Sequence, residues 1–250
     1  MTSAEAPAVR QRSIFGTLLL VIILVPLAIA VLLSPVLIRT FLFQPFNIPA
    51  GSMKPTLLVG DYIFVSKYSY GYNRFSFPFS PPLALISGRV FASEPERGDV
   101  VVFRLPKDPS TDYVKRVVGL PGDRIQMVNG VLHINGTPVK REQIEDFVET
   151  EDNGREVHIK QWRETLPNGV SHMTLDMIEN GFYDNTKEYR VPAGHYFMMG
   201  DNRDNSSDSR VENAVGYVPA ENLIGRVQIM FWSVDEKGHV RSERLANKVR

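Results

Sequence analysis

A serine held between a glycine and a nearby proline is the first stretch whose residue types could do chemistry: Ile48-Pro49-Ala50-Gly51-Ser52-Met53-Lys54-Pro55-Thr56-Leu57. Gly51 lets another chain approach the backbone closely, and Pro55 restricts the turn that follows. Such a turn can aim a hydroxyl and its own N–H in one direction, as a nucleophile beside an oxyanion site requires. The same composition also describes an ordinary surface turn.

A serine hydroxyl needs a neighbouring base. The histidines are His133, His158, His172, His195 and His239, and no Gly-x-Ser-x-Gly elbow surrounds Ser52. His195 is the best imidazole candidate for a triad, which only geometry can define. Lysine is the other candidate, provided that it is neutral and stripped of water. Lys115 lies in the strand-like run Asp112-Tyr113-Val114-Lys115-Arg116-Val117-Val118-Gly119-Leu120. A period of two puts Tyr113, Lys115 and Val117 on one face and Val114, Arg116 and Val118 on the other. An inward Lys115 face would lower the amine's pKa, whereas an outward one would be a charged strand edge. Lys54 follows a turn and is expected in solvent, and Lys67 ends a strand.

The third stretch is Gly200-Asp201-Asn202-Arg203-Asp204-Asn205-Ser206-Ser207-Asp208-Ser209-Arg210. It lacks the glycine and the terminal glutamate of an EF-hand loop. It reads as a loop held by Asp–Arg pairs with spare hydroxyls.

The elements that must position these residues begin with an uncharged run from Ser13 to Ile38. Roughly 20 apolar residues cross a bilayer, and Pro26 is tolerable in a membrane helix. The run exceeds the apolar region of a cleaved secretory signal, so a retained anchor is expected. Arg10 and Arg12 precede it and Arg39 follows, which places the N-terminus in the cytoplasm and the remainder outside. Ser52 then falls within a few residues of the bilayer surface.

The rest reads as β structure. Strand-like runs occupy 61–67, 99–104, 112–118, 157–162, 171–177 and 227–234, with a last short one at 239–241 after Glu236-Lys237-Gly238. Asn129-Gly130 and Asn135-Gly136 signal hairpins, and Pro167-Asn168-Gly169 signals a turn. Phe75–Gly88 is uncharged and rich in Phe, Pro and Ser, and fits either a cover over the core or a lipid-touching loop. Residues 140–190 are more polar than their flanks, as an insertion with less bearing on chemistry.

Lys+Arg and Asp+Glu both number 28 in 250 residues, so no broad basic footprint for nucleic acid exists. The absence of cysteine excludes disulfides, thiolate metal sites and a cysteine nucleophile.

Together these blocks resemble bacterial type I signal peptidase, the membrane-bound Ser-Lys leader peptidase family. The resemblance is carried by the anchor, the Pro49–Leu57 stretch, Gly60-Asp61 with Lys67-Tyr68-Ser69-Tyr70-Gly71, and Arg97-Gly98-Asp99-Val100-Val101-Val102-Phe103. It continues through Tyr113–Asp123, Gly200–Arg210 and Gly216-Tyr217-Val218-Pro219. It implies Ser52 as nucleophile and Lys115 as general base. It further implies Ser206 as the serine that orients the lysine, and Asp208 and Arg210 as a structural pair. Many members carry a serine two positions before the nucleophile as a second oxyanion donor, and here that position is Ala50.

The implied fold is mainly β: an antiparallel β-sheet catalytic core with an inserted smaller β subdomain, preceded by one transmembrane helix. The expected organisation is a cytoplasmic N-terminus (1–12), a transmembrane anchor (13–38), a first catalytic core segment (39–123), the insertion (124–190) and a second core segment (191–250). The implied function is removal of signal peptides from exported preproteins outside the bacterial cytoplasmic membrane, through an acyl-enzyme. Exported preproteins and the lipid bilayer are the expected partners, and no nucleic acid, cofactor or metal is expected. The alternative is a membrane-tethered β module that binds exported chains without cutting them.

Overall fold

The computed structural model describes residues 14–77, 88–151 and 153–249. The expected cytoplasmic N-terminus and most of Phe75–Gly88 lie outside the described residues. The uncharged run folds as α1 (Ile14–Phe41), which continues past Arg39 and contains Pro26 and Pro35. Its Leu18–Phe41 span has a mean hydropathy of 3.0, and no residue from Leu18 to Arg39 is buried, as a lipid-facing helix should be. Among the described residues it is the one helix long and apolar enough to cross a membrane.

The strands that follow are β1 (Phe43–Asn47), β2 (Asp61–Ser66), β3 (Val100–Leu105), β4 (Asp108–Gly119) and β5 (Arg124–Val128). Next come β6 (Val131–Ile134), β7 (Thr137–Pro138), β8 (Lys140–Gln143), β9 (Phe147–Thr150) and β10 (Glu156–Thr165). The series ends with β11 (Ser171–Asp176), β12 (Tyr189–Arg190), β13 (His195–Met199), β14 (Val218–Pro219) and β15 (Leu223–Ser233). The large sheet has the order β1-β2-β15-β3-β4-β13-β14, and all its pairings are antiparallel. Two four-stranded sheets are built from β5–β12. The fold is therefore mainly antiparallel β behind one apolar N-terminal helix.

Local chemistry explains the hairpins. Asn129 and Gly130 have φ of 49° and 73°, and Asn135 and Gly136 have 55° and 82°. Both pairs thus occupy the left-handed region that a two-residue turn between twisted strands requires. The run at 239–241 does not form a strand. It contributes a single bridge, Val234↔Val240, because Asp235 gathers the turn onto itself by accepting from the Lys237 and His239 amides.

Three apolar clusters fill the interior, and β4 reaches all of them. Val114 packs on the cluster under β1, β2 and β15, Val118 on that under β5 and β6, and Val117 on that under β3 and β13. A strand anchored in this way has little freedom to slip, since a one-residue shift would reverse every side chain. At the near end of the Phe75–Gly88 stretch, Phe75 is buried, with the Arg74 and Arg104 guanidinium groups over its ring at 4.5 and 5.2 Å.

Candidate active site

Two parallel consequences of the topology bring the three sequence stretches together. Strand β1 carries the chain away from α1 and delivers it into a single helical turn, Gly51–Met53, with Met53 buried. Strand β4 lies between β3 and β13, with Lys115 opposite Val101 and Arg116 opposite Met199. The 200–210 loop leaves β13 immediately after Met199, so it starts beside Arg116.

The Lys115 Nζ lies 2.6 Å from the Ser52 Oγ and donates to its own strand's Val114 carbonyl at 2.9 Å. Lys115 is buried, and burial pulls its pKa from 10.5 down to about 8. The Asp208 and Asp201 carboxylates oppose that shift, and the Arg210 charge adds to it. The two candidate faces of β4 are thus both inward: Arg116, on the other side, is fully buried.

The loop is fastened from several directions. Asp208 and Arg210 form a two-pronged ion pair at 2.9 and 2.8 Å. Burial opposes ionisation of Asp208, but the Arg210 charge overcomes it and holds the carboxyl below its ordinary range. The Gly200 amide donates to Asp208 at 3.0 Å. Gly200 has to be glycine because of space: a Cβ there would sit 2.2 Å from the Ser206 Oγ and 2.5 Å from the Ser52 carbonyl oxygen. Ser206 therefore packs against the backbone that abuts Ser52. Its hydroxyl is buried on the side of the Asp208 carboxylate, whose pKa it helps to lower, and the amine of Lys115 bonds Ser52 and Val114 instead.

Several residues that sequence reasoning passed over complete the arrangement. Asn202 ties the loop to the serine turn, its amide donating to the Ser52 carbonyl and its Nδ2 to the Gly51 carbonyl, both at 3.1 Å. Arg116 pairs with Asp201 at 2.8 and 2.6 Å, and Thr56 donates to the same carboxylate at 2.6 Å. Burial works against the Asp201 charge, and Arg116 outweighs it, so the pKa falls. Residues 140–190 bear more on the site than their composition suggests. Glu164 on β10 takes both Arg203 prongs at 2.8 and 2.5 Å, and Leu175 on β11 bridges in parallel to Asn202. The loop itself carries three aspartates and two arginines, so nothing local signals that Arg203 takes its partner from β10.

The other candidates are accounted for. His195 is half-buried and its Nδ1 meets the Ala193 carbonyl at 2.9 Å. His172 is buried between Glu164 and Asp201, and burial with the nearby Arg116 charge keeps its pKa well below 6.5. Lys54 is not free in solvent but paired with Glu149 of β9. Lys67 is buried, donates to the Ser76 carbonyl at 2.6 Å, and is also lowered to about 8 by burial and by Arg39. Asp176, Asp184 and Asp204 bring their oxygens within 4.8 Å of one another, but Arg141 already neutralises Asp176 and Asp204 accepts two backbone amides.

A near-neutral amine in contact with an alcohol on a tight turn can activate that alcohol for attack on a carbonyl. The chain is also similar to known proteins. The family model described as "Signal peptidase, peptidase S26" matches residues 18–232. Signal peptidase I of Rickettsia conorii is 45% identical over 203 residues, covering 79% of this chain and 74% of its own. That of Rickettsia typhi is 46% identical over 202 residues, covering 78% and 74%. A solved signal peptidase I from Enterococcus faecalis is 24% identical, covering 54% of this chain and 97% of its own, with a TM-score of 0.32.

Proposed function

The chain belongs to the peptidase S26 family of signal peptidases, a membrane-anchored serine endopeptidase acting on preproteins that carry signal peptides, and from that membership we propose how its residues divide the work. Ser52 is the nucleophile and Lys115 the general base. The carrying observation is the 2.6 Å contact between their Oγ and Nζ. With the amine uncharged, the hydroxyl donates its proton to Nζ as Oγ attacks the scissile carbonyl. The resulting ammonium protonates the departing amine, leaving an acyl-enzyme on Ser52. Lys115, neutral again, then draws a proton from the water that releases the signal peptide.

The Ser52 N–H supplies one oxyanion donor. Ala50 offers only a methyl group, so its side chain supplies none, and a missing donor costs roughly 10²–10³ in rate. Ser206 backs the Gly200 backbone that supports Ser52, and is a positioning residue for the dyad. Asp208 with Arg210 keeps the loop in place. Residues 124–190 form the inserted unit, and the two core segments are 39–123 and 191–250.

The lipid bilayer is the second partner. The outer face of β1, β2 and β15 carries an aromatic series that supports this: Phe64 stacks on Phe231 at 4.1 Å, and Phe43 meets Tyr68 edge-on at 5.6 Å. Aromatic side chains of this kind favour the membrane interface. The arginine bias around α1 supports a cytoplasmic N-terminus and a catalytic domain on the outer side of the cytoplasmic membrane.

The test is cleavage of a preprotein by the full-length protein in detergent micelles. Ser52→Ala and Lys115→Ala are each expected to abolish cleavage while leaving the β signal in circular dichroism intact. Near-normal cleavage by either variant would remove the dyad and favour the non-catalytic binding reading.

A further inference from the structure

A cleft of about 880 Å³ adjoins the Ser52 turn and has no role in the chemistry above. It lies between the 54–59 segment, the β9–β10 hairpin and the turn at 235–237, with Leu58, Val59, Val157 and Ile159 among its apolar lining. All four consecutive β9 residues, Phe147 to Thr150, line it. Phe147 and Glu149 share one face of the hairpin with Val157 and Ile159 of β10, and Val148 and Thr150 from the other face carry the lining around the edge of β9. Among the described residues β9 pairs with β10 alone, which leaves that edge unpaired.

The cleft begins where the catalytic turn ends. A Cβ on Gly51 would lie 2.9 Å from the Lys54 Cε, so the lysine stem crosses the turn next to Ser52, and its amine pairs with Glu149 at the β9 edge. The cleft is also at the end of the sheet away from α1. Next to α1, Phe43 pairs with Ser66, whereas the cleft borders the opposite end of β2, where Asp61 pairs with Ser233. A signal peptide's apolar segment belongs on the α1 side, so the chain beyond the cut leaves toward the cleft.

We propose that this cleft receives the first residues of the mature chain, on the leaving-amine side of the scissile bond, as an extended strand added to the free edge of β9. The inference rests on the reading of Ser52 as nucleophile. Edge pairing reads main-chain N–H and C=O groups rather than side chains, which suits substrates whose mature ends differ. The rim sets no strong charge requirement either, since Lys54, Lys237 and Arg241 stand among Glu149, Glu151, Asp235 and Glu236.

The test uses full-length protein in detergent micelles and peptides identical up to the cut, followed by one, three or six residues. We expect kcat/KM to rise about tenfold or more from one to six residues, the equivalent of one or two net hydrogen bonds. N-methylation of alternate amides in the six-residue tail should erase that rise in one of the two registers. Val148→Pro, at an exposed position on β9, should bring the six-to-one ratio toward unity while the one-residue peptide is still cut. Equal values for short and long tails, or a length gain that survives N-methylation in both registers or Val148→Pro, would overturn the proposal. Failure of wild type to cut any peptide, or persistence of cleavage in Ser52→Ala, would instead overturn the dyad reading beneath it.

Discussion

In the proposed mechanism a single amine decides whether the site works near neutral pH. Burial lowers Lys115 to about 8 against 10.5 for a free lysine, so in the folded protein a substantial fraction is uncharged under mildly alkaline conditions. Only that fraction can accept the Ser52 proton. Preprotein cleavage at subsaturating substrate is therefore expected to be slow in mild acid, to rise with pH through about 8, and to level off above it. Lys67 falls to a similar value for a similar reason, but it bonds the Ser76 carbonyl and not the serine. Lys67→Met should leave the midpoint of the profile in place, whatever it does to stability. A midpoint that vanished with Lys67 would assign the profile to the wrong lysine. The period-two pattern made the opposed faces of Lys115 and Arg116 legible in the sequence. It could not say that both faces are interior, because that depends on β13 and its loop, some 85 residues away in the Arg116–Asp201 pair.

Among the elements, the 200–210 loop is held less by its own Asp–Arg pairs than by partners from other strands. Asp208–Arg210 was readable from adjacency, whereas Arg116–Asp201 and Arg203–Glu164 join segments far apart in the chain, and no local pattern specifies such partners. The hairpins at Asn129-Gly130 and Asn135-Gly136 were readable because their turn chemistry is local. The polar strands β8 and β9 were not, since Lys140-Arg141-Glu142-Gln143 carries no apolar alternation. The buried pairs differ sharply from surface ones in consequence. Asp201→Asn strips the fully buried Arg116 of its countercharge and should cost about 3–5 kcal/mol of stability by denaturant unfolding. Glu188→Gln, which breaks the exposed contact with Arg124, should cost no more than about 1 kcal/mol. Equal effects would mean that the loop is not fastened through β4.

In the proposed reading the whole molecule is arranged around a boundary between lipid and water. α1 ends at Phe41 and the aromatic face of β1, β2 and β15 begins at once; Lys115 shares a row of the sheet with Phe43 through Ser66, Arg226 and Val101, and the cleft lies toward the opposite end of β2. The anchor was legible because twenty-odd uncharged apolar residues have few other uses. The aromatic face was not, because its members come from three strands separated in sequence. Trp232 is 43% exposed and pairs in register with Tyr62 on that face. In a Trp162→Phe background, its fluorescence should be quenched by brominated lipids when the full-length protein is reconstituted into vesicles. Unquenched emission would place the face in water and detach it from the bilayer.

The proposed catalysis depends on an uncharged lysine amine kept against the Ser52 hydroxyl, and the titration of that amine can be followed without any substrate. The chemical shift of ε-13C-labelled lysine in the full-length protein in micelles reports it, with Lys115→Met identifying the resonance. A midpoint near 8 is expected. A Lys115 signal that titrates at 10.5, as for a lysine in open water, would contradict the dyad.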